Sequence, residues 1–309
     1  MSQVIRNWSD YNAGLKQRGS LTFWLDEDVL SRWVEPELSG QRGESRYYSD
    51  VAIATMATIK SVYSLAGRQC QGFLASIFEL MGLDLAVPDH STLSRRLGQL
   101  TVSLPVVDKA TARHVVVDST GVKVYGEGEW KTRQHGISKR RTWRKLHLGI
   151  DEATGEILVG VVTTNQVHDG TVLKDILDGI EDDIEQVSAD GAYDHRHCYD
   201  EITERQAKPV IPPRQDAVIW QHGNGKAPPH PRDENLRYIR KHGRKKWKRD
   251  ANYHRRSLAE TTMFRFKTIF GGKLRSRKFD NQAAELLLQC AVLNRMIQIA
   301  KPDSLMLDD

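Results

Sequence analysis

The chain has 309 residues, a formal net charge of +5 and 39% hydrophobic residues, which is enough for one large domain or two smaller ones. Charged residues make up 28% of it and no long uncharged apolar stretch occurs, so the composition excludes a membrane span, a disordered chain and a collagen-like fibre. Its three cysteines are odd in number and far apart, which excludes a disulfide scaffold. With no apolar signal segment, they predict a reducing cytoplasm.

Charge is distributed unevenly along the chain, and this distribution says more about partners than the total does. Residues 169–206 carry 12 acidic against 3 basic side chains, 226–279 carry 18 basic against 4 acidic, and 131–147 carry 7 basic and no acidic ones. Dense basic segments are typical of surfaces that bind nucleic acid. A solvated charged surface is the alternative interpretation.

The first hundred residues have helical periodicity. Ser49 and Asp50 begin a helix that continues to about residue 64, and a second helix is predicted over about 69–81. After a turn at Pro88, a third helix over about 89–97 directs hydroxyl and basic groups outward: Ser91, Thr92, Arg95, Arg96 and Gln99. Two helices joined by a short turn are typical of a helix-turn-helix, although any capped amphipathic surface helix has the same pattern. We therefore expect an all-helical DNA-binding region over 1–104.

From about residue 105 the hydrophobic period becomes that of strands. The predicted strands are 115–117, 145–151, 156–163, 186–189 and 209–211, with helices at about 170–180 and 198–206. This order resembles the ribonuclease-H-like α/β fold. We therefore expect an α/β protein with a ribonuclease-H-like core over 105–309. In that core, an irregular basic insertion near 212–250 precedes two final helices at about 253–270 and 281–300.

Two aspartates close predicted strands and are followed by small or turn-forming residues. Asp118 precedes Ser119, and Asp190 precedes Gly191. A carboxylate at a strand end lies at the edge of a sheet, where catalytic and binding residues are commonly found. Taken alone, either aspartate is better explained as the opening of a turn.

A third carboxylate lies on the helix predicted at 253–270. At about 100° per residue, four polar side chains share one narrow stripe: Tyr253, Arg256, Glu260 and Lys267. The opposite side is apolar and consists of Leu258, Phe266, Ile269 and, at its margin, Phe270. One acid among cations and a phenol fits a metal ligand beside bound phosphates as well as it fits a salt-bridged surface.

The spacing of this stripe, with two, three and six residues between its members, resembles the signature of DDE transposases of bacterial insertion sequences. The segments RGSLTFW at 18–24, DSTG at 118–121 and DGAYD at 190–194 are also similar to the fifth insertion-sequence family. The similarity extends over about residues 7–299. It implies an enzyme that binds the terminal inverted repeats of its element, cleaves the ends by metal-dependent hydrolysis and joins the 3′-hydroxyl to target DNA.

By the same resemblance, Asp118, Asp190 and Glu260 are the catalytic residues and the metal ligands. Three carboxylates suit two Mg²⁺ ions about 4 Å apart, with Mn²⁺ as a substitute. DNA contacts are expected at Tyr253, Arg256, Lys267, Ser91, Thr92, Arg95, Arg96, Lys245, Lys246 and Trp247. For Trp247, stacking on an unpaired base and packing on the core are equally good interpretations.

The partners implied are transposon-end DNA and target DNA, with no membrane, and a homodimer or higher oligomer as the working complex. The expected location is the cytoplasm, in association with the bacterial nucleoid. Two other functions stay open: a metal-dependent DNA nuclease without strand transfer, and an inactive DNA-binding derivative, against which the intact Asp118, Asp190 and Glu260 set argues.

Overall fold

The computed structural model describes residues 2–36, 47–124, 143–221 and 228–307. The chain divides into two compact units, one formed by Met1–Pro105 with Ile269–Asp309 and the other by Val106–Thr268. The predicted domains, 1–104 and 105–309, are not the same as these units and stay a prediction. Residues 269–309, which the sequence analysis placed in the second domain, belong to the first unit.

The elements of the N-terminal part are mainly helices. They are β1 (Ser2–Ile5), α1 (Trp8–Arg18), α2 (Leu21–Trp24), α3 (Glu27–Ser31), α4 (Asp50–Val62), α5 (Gly67–Leu80) and α6 (His90–Arg96). The middle of the chain forms β2 (Arg113–Val124), β3 (Trp143–Asp151), β4 (Ile157–Thr164), α7 (Leu173–Asp178), β5 (Ile184–Ser188), α8 (Arg196–Glu204) and β6 (Lys208–Val210). It continues with α9 (Pro231–His242), α10 (Arg244–Asp250) and α11 (Ser257–Phe270), and the chain ends with β7 (Lys273–Leu274), α12 (Phe279–Ile299) and β8 (Ser304–Leu307).

Both ends of the chain contribute to the first unit. β1 pairs antiparallel with β8, from Ser2 opposite Leu307 to Ile5 opposite Ser304. An all-helical N-terminal region is therefore not confirmed, because the partner of its first strand lies at the far end of the sequence. The buried core of this unit likewise combines Trp24, Trp33, Ile53 and Leu74 with Leu288 and Val292 of α12.

The predicted helix-turn-helix lacks its short turn. Residues 81–89 separate α5 from α6, whereas such motifs typically use three or four residues. Gly82 ends α5 with a positive φ of 65°, and the Leu83 amide donates to the Phe78 carbonyl (2.9 Å). This is a Schellman-type helix end that directs the chain away from the helix axis.

A mixed sheet forms the centre of the second unit, with strand order β4-β3-β2-β5-β6. β2, β3 and β4 pair antiparallel, whereas β5 lies parallel to β2, and β6 lies parallel to β5. Apolar side chains of β2 and β5 pack with α7 and α8 on one face of this sheet. The order is compatible with a ribonuclease-H-like core.

The segment predicted as irregular contains two helices, α9 and α10. His230 accepts a bond from the Arg232 amide at the start of α9, where Pro231 occupies the first turn. Acidic residues in the first turn and basic residues in the last complement the helix dipole. These signals are present in the sequence, but the density of basic residues made the segment resemble a loop. Along the described stretches of the chain, no helix is long and apolar enough to cross a membrane.

Candidate active site

The sequence predicted Asp118 at the end of a strand, but Asp118 lies inside β2. The reason is that β2 continues its pairing with β3 to Lys123, which lies opposite Trp143. On its other side, the paired register with β5 ends at Val116 opposite Ser188. Asp118 lies two residues beyond Val116, and Asp190 two residues beyond Ser188. The parallel register therefore brings these two aspartates to the same level of neighbouring strands.

Asp190 caps the short 3₁₀ turn that follows β5. Its Oδ1 accepts a bond from the Ala192 amide (2.8 Å), and its carbonyl accepts one from the Tyr193 amide (3.1 Å). One carboxylate oxygen is thus used to fix the side chain. This arrangement holds Asp190 on a turn of defined shape rather than on a free loop.

Glu260 lies in the first turn of α11, as the acidic residue next to its N-terminus. The single helix predicted from 253 begins instead with a 3₁₀ turn over Tyr253–Arg256, preceded by Asn252 in a left-handed conformation with φ 54°. This turn places Arg256 beside Glu260. The Arg256 guanidinium donates to both Asp118 Oδ2 (2.8 Å) and Glu260 Oε1.

The environment of Asp118 differs from that of Glu260. The Asp118 side chain is 16% exposed and that of Arg256 is 19% exposed, whereas Glu260 is 60% exposed. Burial raises the pKa of the Asp118 carboxyl, the Ser119 amide and Arg256 lower it, and the negative charges of Asp190 and Glu260 raise it further. Asp118 therefore lies within the electrostatic influence of the other two carboxylates, and Arg256 is the counter-charge between Asp118 and Glu260.

The donor chemistry of this set fits a divalent metal. Carboxylate oxygens are the ligands that Mg²⁺ and Mn²⁺ prefer, and Asp118 interacts electrostatically with the other two carboxylates. In the described part of the chain, no group of three or more His, Cys, Asp or Glu side chains is arranged to hold a metal ion. The side chains thus supply suitable ligands, but Arg256 bridges two of them in this arrangement.

The predicted stripe on the helix is only partly present. Glu260 and Lys267 are exposed, but Tyr253 is buried, and its ring centroid lies 5.6 Å from that of Trp247. The prediction assumed 100° per residue throughout, whereas the 3₁₀ turn changes the rotation before Ser257. The face buried by α11 is Ala259, Thr262, Met263 and Phe266, while Leu258, Ile269 and Phe270 are half-buried.

Trp247 packs on the core, which decides between its two interpretations. It is 3% exposed and clusters with Val210, Ala251 and Tyr253, and its Nε1 donates to Asn235 Oδ1 (3.1 Å). The ring is therefore inaccessible to a base, which corrects its assignment as a DNA contact. Lys245 is exposed, while Lys246 donates to Asp250 (2.5 Å) and to the Tyr238 hydroxyl (3.1 Å).

In α6 the two arginines differ, although the sequence predicted that both face outward. Arg95 is exposed and donates to Thr92 Oγ1 (3.1 Å), and Ser91 is exposed at the start of the helix. Arg96 is 12% exposed and pairs with Asp50 Oδ1 (2.6 Å). It is therefore directed inward, because α4 presents a carboxylate to it.

A buried ion pair that the sequence did not predict involves Asp194, four residues after Asp190. Arg232 of α9 donates to Asp194 through Nε (2.7 Å) and Nη2 (3.3 Å), with side-chain exposures of 5% and 1%. Asp194 also accepts from the Tyr199 hydroxyl (3.1 Å) and the Arg214 amide (3.0 Å). The pair fixes α9 and residue 214 to the turn that bears Asp190. Asp194 is the last residue of the DGAYD segment, which the sequence analysis had noted. Nothing in the sequence indicates that its partner is Arg232, 38 residues further along the chain.

Two family models match the chain, each described as a transposase DDE domain, over residues 16–127 and 109–295. The second covers more than half of the chain and includes Asp118, Asp190 and Glu260. DDE transposases act on DNA, cut it and normally use divalent metal ions. The chain therefore belongs to the DDE transposases of insertion sequences.

Proposed function

We propose that this transposase binds the terminal inverted repeats of its element, cleaves the ends and joins the freed 3′-hydroxyl to target DNA, with Asp118, Asp190 and Glu260 as catalytic residues. The observation that carries the proposal is Arg256, which bonds Asp118 and Glu260 together. The β2–β5 register adds Asp190 at the level of Asp118. These two observations support the assignment of the three carboxylates, all within the matched domain, to one proposed site.

Asp118, Asp190 and Glu260 would hold Mg²⁺, or Mn²⁺ in its place, and two ions bound there would activate the attacking oxygen and stabilise the leaving one. In the first step, the oxygen of water forms a bond to phosphorus while the phosphorus bond to the 3′-oxygen breaks. In the second step, the freed 3′-hydroxyl attacks a target phosphodiester, and the displaced 3′-oxygen of the target leaves. Neither step requires a covalent protein intermediate.

Exposed basic residues would bind the DNA backbone. Lys267 and Lys245 are exposed cations of the second unit, and phosphates are their natural partners. In the first unit, Ser91, Thr92 and Arg95 remain the surface that would read the terminal repeat. Two ends must be held together for joining, so the proposed working complex is a homodimer or larger oligomer on nucleoid DNA.

The experiment that tests this function is a strand-transfer assay. Duplexes that carry the element's end and a supercoiled target plasmid are incubated with the protein and Mg²⁺, and both the cut end and the joined product are measured. Joined product supports the proposal. Cutting without joining would identify the nuclease alternative, and binding without cutting the inactive derivative.

Replacing Arg95 by alanine should weaken binding to the element's own end by about tenfold and binding to random DNA by less, because one base-reading contact is worth about 1–3 kcal/mol. A competition shift assay measures both affinities. An equal loss on both DNAs would show that Arg95 contacts only the backbone. Arg96→Ala serves as the comparison: it should mainly lower the melting temperature, since it removes a largely buried guanidinium that pairs with the exposed Asp50 carboxylate.

Replacing Lys267 by alanine should loosen the cleaved end without loss of stability. Its side chain is exposed, so its removal leaves packing unchanged, while one phosphate contact and roughly one unit of salt dependence are lost. Salt-dependent affinity for a pre-cleaved end duplex measures this change. An unaltered salt slope, or a large fall in melting temperature, would contradict the role.

A further inference from the structure

Arg256 occupies the position of a cation between two proposed metal ligands. One guanidinium nitrogen donates to Asp118 Oδ2 (2.8 Å) and the other to Glu260 Oε1. The bond to Asp118 joins residues 138 positions apart in the sequence, so it is a tertiary contact between β2 and the turn before α11. The side chain is 19% exposed, which limits the screening of its charge by water.

In the metal-free protein, this contact places a positive charge between two carboxylates. The Asp118 side chain is 16% exposed, and Arg256 joins it to the second carboxylate, Glu260. Without a counter-charge, close carboxylates repel one another. The guanidinium supplies the counter-charge and holds the two carboxylates towards a common centre.

Arg256 and a divalent ion therefore compete for the same oxygens. An ion bound by Asp118 Oδ2 and Glu260 Oε1 takes the acceptors that Arg256 now uses. The positive charge of the guanidinium also repels the ion. A released guanidinium needs another anion, and its planar fork matches the phosphate group of DNA. Lys267, to which the proposed function assigns a phosphate contact, is exposed on the same helix, α11.

We propose that Arg256 is a positioning residue that holds Asp118 and Glu260 in place of the metal until end DNA binds, and then exchanges these carboxylates for a DNA phosphate. The inference rests on the proposed function. It couples the two ligands: DNA that removes Arg256 from the site tightens metal binding, and by linkage the metal tightens DNA binding by the same factor. Metal binding, and with it cutting, then depends on the presence of the correct DNA.

The test is a Mn²⁺ titration of the full chain, in which free Mn²⁺ is counted by electron paramagnetic resonance, with and without a pre-cleaved end duplex. The duplex alone is titrated and subtracted. In the wild type, end DNA should tighten Mn²⁺ binding by at least about tenfold. In Arg256→Ala, binding without DNA should already be at least about tenfold tighter than in the wild type, and the effect of DNA should largely vanish.

Arg255→Ala is the matched control. It removes the same charge one residue away, but Arg255 pairs with Glu152, so Mn²⁺ affinity should stay within about twofold of wild type. Arg256→Gln, which keeps a hydrogen-bonding amide without the charge, gives a second variant if the alanine form fails to fold. In either Arg256 variant, Mn²⁺ should raise the melting temperature more than in the wild type.

The outcomes separate this inference from the proposed function. If a folded Arg256 variant binds Mn²⁺ no more tightly than the wild type, and this binding still depends on Asp190, the exchange is wrong but the proposed ligand set stands. If Asp190→Asn binds Mn²⁺ and cuts DNA like the wild type, the proposed ligand set itself is wrong. Equal changes in the Arg255 and Arg256 variants would show a general charge effect, which also overturns the exchange.

Discussion

Asp190→Asn should reduce Mg²⁺-dependent cleavage of an end-containing duplex by at least about a thousandfold, while its affinity for that duplex, measured without a divalent ion, stays within about twofold of wild type. The amide retains the oxygen that accepts the Ala192 amide, so the turn after β5 keeps its shape. It lacks the negative charge that a hard divalent ion requires of its ligand. The substitution therefore removes a proposed metal ligand without changing the turn that positions it.

The measurements are the single-turnover cleavage rate, the DNA affinity in a shift assay and the melting temperature of the free protein. Asp175→Asn, which removes an exposed carboxylate on α7, is the control and should cleave at the wild-type rate. A parallel loss of binding and cleavage in Asp190→Asn would indicate that the residue has a structural role or contacts DNA. The assignment of the active site would then be wrong.

Much of the second unit could be predicted because its signals are local. Val115, Val116 and Val117 form an apolar run in β2, and the β3–β4 hairpin turns where predicted, with Gly155 at φ 77°. Ser49 likewise begins α4, where its hydroxyl accepts from the Ala52 amide (3.1 Å). Periodicity, caps and turns are properties of short segments, so a single sequence contains them.

What could not be predicted depends on partners far away in the sequence. The length of β2 beyond Asp118 follows from its pairing with β3, and β1 exists because β8 lies beside it. The inward direction of Arg96 depends on Asp50, and the burial of Trp247 on Val210 and Tyr253. For the two strands a distant pairing partner decides where the strand forms, and for Arg96 and Trp247 a tertiary contact decides whether the side chain faces water. The local sequence pattern does not contain these contacts.

The Asp194–Arg232 pair is a contact of this kind, and its loss should have the largest effect on stability. Arg232→Ala should lower the free energy of unfolding by about 3–5 kcal/mol, because it leaves the Asp194 carboxylate buried without its counter-charge. It also removes the bond to the Val218 carbonyl (2.8 Å) and the guanidinium 3.8 Å above the centre of the Trp220 ring. Urea denaturation measures the change.

Arg237→Ala, an exposed arginine of the same helix that donates to the Gln221 carbonyl (3.1 Å), is the control and should change stability by less than about 1 kcal/mol. Adding Asp194→Asn to Arg232→Ala should recover part of the loss, because a neutral amide is easier to bury than an unpaired carboxylate and still accepts from Tyr199. If Arg232→Ala stays within about 1 kcal/mol of wild type, the pair is not what anchors α9. Because Asp194 lies four residues after Asp190, a real loss of this anchor should also slow cleavage in protein that remains folded, and the double variant should restore part of that rate.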